Sequence, residues 1–139
     1  MSIDGLDDTT IRAVLTGTRR IAVVGASARP ERPSNGVMRF LVRRGYDVIG
    51  VNPGIAGQGL HGRPVVGQLD DATPLEMVDV FRNSAHVGPV VDAAIRLGAK
   101  VVWMQLGVVD QAAASRARAH DITVVMDRCP VIEVGRLGL

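Results

Sequence analysis

The residues with the clearest chemical potential lie in one loop, Ile21-Ala-Val-Val-Gly-Ala-Ser-Ala-Arg-Pro-Glu-Arg-Pro-Ser34. After the apolar run, Gly25, Ala26 and Ser27 permit a sharp turn and the close approach of a ligand. Arg29 and Arg32 follow, in a loop stiffened by Pro30 and Pro33. Ser34 is placed to cap a helix beginning near Asn35, whose free N–H groups and dipole would attract an anion. Two readings stand side by side: a phosphate pocket, or a structural turn with solvated arginines.

The loop matches neither common phosphate motif. It has one glycine where a dinucleotide fingerprint has three, and no Gly-Lys-Ser/Thr. The next informative position is the end of the second apolar run, Val51-Asn52-Pro53-Gly54. An NAD site of the usual kind carries Asp or Glu there, on the ribose hydroxyls. Asn52 offers an amide or simply starts a loop with Pro53, so NAD is disfavoured.

Phe81 and Arg82 close a third run. Phe81 either stacks on a base or packs in the core, and Arg82 just past a strand end suits a phosphate. His61, His86 and His120 are scattered without metal-ligand spacing. There is no Gly-x-Ser-x-Gly elbow and no arrangement of nucleophile and base. No catalysis is therefore expected.

The elements that must position these residues alternate. Ile21–Val24, Asp47–Val51, Met77–Phe81, Val101–Gln105 and Thr123–Met126 are β-branched apolar runs, and read as strands buried on both faces. Asp7–Thr16 reads as a leading helix with acidic residues at its start. Asn35–Arg44, Pro89–Leu97 and Asp110–His120 read as amphipathic or alanine-rich helices, Asp110 as an N-cap. This alternation specifies an α/β fold, a Rossmann-like doubly wound parallel sheet of about five strands in order 3-2-1-4-5. Ligands of such sheets sit beyond the C-terminal strand ends, where the order reverses. Gly25–Ser34 and the segment after Gln105 then face each other across one crevice.

The 139 residues suit one domain, with residues 1–18 as an N-terminal segment and leading helix. Apolar residues make up 47% and aromatic residues only 3%, so the core must be aliphatic. A formal charge of +2 does not predict binding to long nucleic acid. Every basic residue but Lys100 is arginine, through genomic composition or as planar phosphate clamps. The single cysteine, Cys129, excludes an intramolecular disulfide, and the polar start is unlike a signal peptide. No apolar run approaches the roughly 20 residues of a membrane span, so a cytoplasmic setting is expected.

Taken together, the loop, Val51-Asn52-Pro53, Val80-Phe81-Arg82, the segment Gly98-Ala-Lys-Val-Val-Trp-Met-Gln-Leu-Gly107 and Asp127-Arg128-Cys129 carry a resemblance. From about Ile11 to Leu137 the sequence resembles the small stand-alone CoA-binding proteins, whose domain is related to the CoA-binding domain of the succinyl-CoA synthetase α subunit. The resemblance implies coenzyme A, free or acylated, as a small-molecule ligand. It implies Gly25, Ala26 and Ser27 at the pyrophosphate, and Arg32 at the phosphates or the 3′-phosphate. Val51, Asn52 and Pro53 would border the adenosine, with Phe81 and Arg82 beside it. Gln105 and Gly107 would line the pantetheine path.

The synthetase subunit carries a second domain with a phosphorylated histidine, and this sequence ends at Leu139 before any such domain, so ligase chemistry is not expected. Family members often have glycine near His120, and a Glu-His pair where this sequence ends Glu133-Val-Gly-Arg136. Cys129 is either a small buried thiol beside Pro130 or a partner for the CoA thiol in a mixed disulfide. The alternatives to a CoA-binding protein without catalysis are a nicotinamide-dependent oxidoreductase and a CoA-responsive regulatory module with a protein partner still to be identified.

Overall fold

The structure, a computed structural model, describes residues 2–139. Along the chain the elements are α1 (Asp8–Gly17), β1 (Arg20–Val24), α2 (Pro33–Arg43), β2 (Asp47–Val51), β3 (Gly59–Leu60), β4 (Arg63–Val66), β5 (Met77–Val80), α3 (Val87–Arg96), β6 (Val101–Met104), α4 (Gln111–Arg118), β7 (Thr123–Val125) and α5 (Pro130–Leu137). Their strands form one sheet in the order β3-β4-β2-β1-β5-β6-β7. All neighbours are parallel except β3 and β4, which form a short antiparallel hairpin.

Each of the five expected strands is present, but the sheet has seven. The additional hairpin changes how the order is counted. The third parallel strand is β4, which pairs with β2, whereas the Met77 strand lies on the other side, against β1. With β4 included, the parallel strands run 3-2-1-4-5-6, and the order reverses between β1 and β5.

Both sheet faces are covered, which is why β5 and β6 are buried at every position. On one face Val24, Val51, Val80 and Met104 pack under α3 and α4, through Val91, Ala94, Ala113 and Ala117. On the other, Val23, Val48, Met77 and Trp103 pack under α1, α2 and α5, through Ile11, Met38, Leu41 and Val134. Met38 and Leu41 are fully buried, so truncating either to alanine costs about 2–5 kcal/mol. The helices begin as their sequences dictate: Asp7 Oδ1 accepts the Thr10 N–H at 2.9 Å, and Asp110 Oδ1 accepts the Ala113 N–H at 2.9 Å. No helix among the described residues is long and apolar enough to cross a membrane.

The N-terminal segment is tied to the loop after β7. Arg128 donates to Asp4 at 2.8 and 3.0 Å and to Glu133 at 2.6 Å, and Asp4 also accepts the Met126 N–H at 3.1 Å. The Asp4 side chain is fully buried. Burial pushes its carboxyl up, but hydrogen bonds from Arg128, Leu6 N–H, Ser2 and Met126 N–H outweigh this and hold it well below the usual carboxylate range. The Arg128 carbonyl in turn accepts the Trp103 indole N–H at 2.8 Å. The backbone leading into Cys129 is thus fixed from both sides.

Candidate functional site

The turn after β1 is possible only with glycine. Gly25 has φ +90°, and a β-carbon there would collide with the Phe81 carbonyl oxygen. Its N–H donates to the Val51 carbonyl at 3.0 Å, while Phe81 N–H donates to Val24 at 2.9 Å. The ends of β1, β2 and β5 are thereby stitched together around it.

Two asparagines hold the loop that follows. Asn52 donates its amide to the Ala26 carbonyl at 2.8 Å and accepts the Gly54 N–H at 2.8 Å. Asn35, in the first turn of α2, donates to the Ser27 carbonyl at 2.8 Å. Ala26 itself is fully buried over Gly50, where a β-carbon would stand 3.0 Å from the Ala26 methyl. Ser27 Oγ accepts the Arg29 N–H at 3.1 Å. Asn52 therefore shapes the loop, and Asn35 is a second positioning residue that sequence reasoning missed. Its signal was a polar residue on the inward face of a helix.

The capping expectation for Ser34 is corrected. Helix α2 starts at Pro33 and its N-cap is Arg32, which makes no side-chain cap hydrogen bond. Proline suits that first position, since its missing N–H has no partner to lose. Ser34 lies within the first turn, nearly buried, and its wall still faces the crevice.

The crevice has two chambers. The larger, about 730 Å³, is lined by Gly25, Ser27, Arg32, Ser34, Phe81, Arg82, Gln105 and Cys129, with His86 also on its wall. The smaller, about 310 Å³, lies toward α3 and is lined by Val51, Pro53, Leu69 and Val90. Gly25, Asn52 and Arg82 belong to both. The expected site residues thus separate into two compartments joined at one point. Ala26 and Gly107 line neither chamber. Gly107 is instead part of a turn, where its N–H donates to Asp127 at 2.7 Å; Leu106 and Val108 are its neighbours that reach the wall.

The polar groups of the larger chamber are unusually uncommitted. Arg32 and Arg82 are exposed and have no ion-pair partner among the described residues, whereas Arg29 is paired with Glu31 at 2.8 Å. Gln105 is 6% exposed, and its Oε1 has no hydrogen-bond donor among the described residues. A buried acceptor without a donor is costly, so a bound donor would be rewarded there. Phe81 packs against the core cluster, one of the two readings open for it, and also lines the larger chamber.

One group below the crevice was missed in the sequence. Asp79 is fully buried on β5, in register between Val23 and Trp103, and neither carboxyl oxygen has a partner. Burial pushes its carboxyl well above the usual range and favours the protonated form. The signal was an acid within the otherwise apolar run Met77-Val-Asp-Val-Phe81. Cys129, 8% exposed and free, is the N-cap of α5 and reaches the larger chamber. Among the described residues, Ser27, Ser34 and Cys129 have no side-chain hydrogen bond to a histidine or carboxylate. Nor do three His, Cys, Asp or Glu side chains converge as a metal site would require among those residues.

The arrangement has parallels among known proteins. The uncharacterized protein YneT of Bacillus subtilis (strain 168) is 35% identical over 119 residues, spanning 86% of this chain and 87% of the relative. A hypothetical protein from Pyrococcus horikoshii OT3 superposes with a TM-score of 0.93 at 38% identity, covering 100% of this chain and 97% of that one. Prb, the PH1109 protein redesigned for binding, gives 0.91 at 41% identity, with 98% and 95% covered. The CoA binding domain model matches residues 19–135, which include both chambers and the loop that joins them. The chain belongs to the CoA-binding domain family.

Proposed function

We propose that this protein binds coenzyme A through the two-chamber crevice and catalyses no turnover of it. The observation that carries this reading is the division of the crevice: a smaller, largely apolar chamber and a larger one, meeting at a glycine turn and at an arginine with no ion-pair partner among the described residues. Coenzyme A has the same plan, a nucleotide head and a long amide-containing tail joined by a diphosphate. The adenosine fits the smaller chamber, against Val51, Pro53 and Val90. The diphosphate lies at Gly25–Ser27, beside the first turn of α2, with Arg82 and Arg32 as charged partners. The pantetheine runs along the larger chamber, where one of its amide N–H groups supplies the donor that Gln105 Oε1 lacks.

The nicotinamide reading is weaker because Asn52 stands where a ribose-binding acid is usual, and its amide is already engaged by Ala26 and Gly54. A ligand that binds only the folded state raises the melting temperature, by the equivalent of about 2.7 kcal/mol at a hundredfold excess over Kd. CoA should raise it strongly, dephospho-CoA less, and NAD not at all. Equal shifts for CoA and NAD would overturn the assignment.

The position of Cys129 on the wall of the larger chamber supports a second, covalent mode. In it, the Cys129 thiolate attacks a CoA disulfide, the Cys129–CoA disulfide forms, and the other thiolate departs with the electron pair. Intact mass under non-reducing conditions should show a CoA-sized, reductant-sensitive adduct that Cys129→Ser abolishes.

A further inference from the structure

Cys129 borders a second hollow besides the larger chamber. A groove of about 490 Å³ opens between α2 and α5, and shares Pro33, Val37 and Cys129 with the chamber. Its far walls are Phe40 on α2 and Val131 and Ile132 on α5. Ile132 is 54% exposed, one of the few large apolar side chains left at the surface. Between these walls α2 contributes Gly36, where an added β-carbon would meet nothing within 4 Å. The helical repeat sets Gly36 and Phe40 one turn apart on the same side of α2, so the notch and the apolar wall are continuous.

We infer that this groove holds the acyl chain of a medium-chain acyl-CoA thioester. The inference rests on the CoA reading above, which brings the thiol end of the ligand toward Cys129. An acyl group attached to that sulfur must leave the chamber, and the groove between α2 and α5 lies next to it, with Pro33, Val37 and Cys129 lining both. Its chemistry suits hydrocarbon: aliphatic and aromatic walls, an open floor at a glycine, and Arg39 and Arg43 in its lining where they project from the exposed side of α2. Covering Ile132 and Phe40 removes exposed apolar surface. Each methylene fully buried contributes about fourfold in affinity, and about twofold when half-buried in an open groove.

The test is calorimetric titration of the intact protein with CoA, acetyl-CoA and octanoyl-CoA, repeated for Gly36→Leu and Ile132→Ser. Octanoyl-CoA should bind the unmodified protein on the order of fiftyfold more tightly than acetyl-CoA. Gly36→Leu, which fills the notch, should erase that preference while CoA and acetyl-CoA stay within about twofold. Ile132→Ser, at an exposed position, should reduce it severalfold. Equal binding of octanoyl-CoA and acetyl-CoA overturns the acyl groove and leaves the CoA reading intact. Failure of all three ligands to bind overturns both. A preference that survives both substitutions places the chain elsewhere and overturns the groove. A dimer that Ile132→Ser dissociates without changing the preference assigns the groove to a second copy, and overturns it too.

Discussion

Arg128 lies just past the end of β7 and Arg82 just past the end of β5, at the same edge of the sheet. The first is clamped between two buried carboxylates and a backbone carbonyl. The second stands at the junction of two chambers and meets no carboxylate among the described residues. The same residue type therefore does opposite work. A guanidinium whose three nitrogens are each engaged fixes backbone, while one left uncommitted in a concave site is available to an anion.

The heaviest break to this contrast is Arg128→Met. It leaves the buried Asp4 carboxylate without its cation and Glu133 with Arg136 alone, and should cost about 3–5 kcal/mol of stability, read by chemical denaturation. The acid response follows from the sign of the shift. Asp4 is depressed in the folded protein, so its contribution is present above the unfolded value near pH 4 and is lost as pH falls below it. The variant should lose that steepening of acid unfolding along with the stability.

Arg82→Ala acts on the other side of the comparison. It should weaken CoA binding by about 1.5–3 kcal/mol, read by calorimetry, while stability stays within about 0.5 kcal/mol. Gly25→Ala touches both properties. The left-handed backbone alone adds about 1–3 kcal/mol of strain, and relief of the collision with Phe81 must open the junction, so stability and CoA affinity should fall together.

Asp79→Asn tests a buried acid that, unlike Asp4, has no partner. Because its folded value is raised, the unfolded state gives up its proton first, and the wild type loses stability as pH rises above about 4 toward that raised value. The variant should lack this slope and gain on the wild type more at pH 8 than at pH 5. The smallest effect belongs to Arg29→Ala. Arg29 lines the larger chamber but is paired with exposed Glu31, so CoA affinity should change by no more than about twofold.

How legible each region was follows from the range of its interactions. The strands β1, β2, β5, β6 and β7 are β-branched apolar runs, and their burial on both faces follows from composition. The β3–β4 hairpin escaped because Arg63-Pro64 interrupts the pattern and its strands have only two and four residues. Helix α5 was hidden by its proline start, its internal Gly135 and its length of eight residues. Gly25 was readable because a turn directly after a strand needs it. The capping error at Ser34 arose because Pro33 begins the helix earlier than the hydrophobic periodicity does. Asn35, Asp79 and the Asp4–Arg128–Glu133 cluster have meaning only through partners brought close by the fold, and the division of the crevice into two chambers depends on where α3 packs.

The Asp4–Arg128 bond also bears on the order in which the chain assembles. It joins residues 124 positions apart, so closing it directly from an open coil carries a large loop entropy. Formation of the sheet between them shortens that search, and the bond becomes favourable only when β7 is already seated beside β6. A bond of this range is expected to close late, as a clasp on the Arg128–Cys129 loop, and the wall of the larger chamber would then take shape after the sheet that carries it.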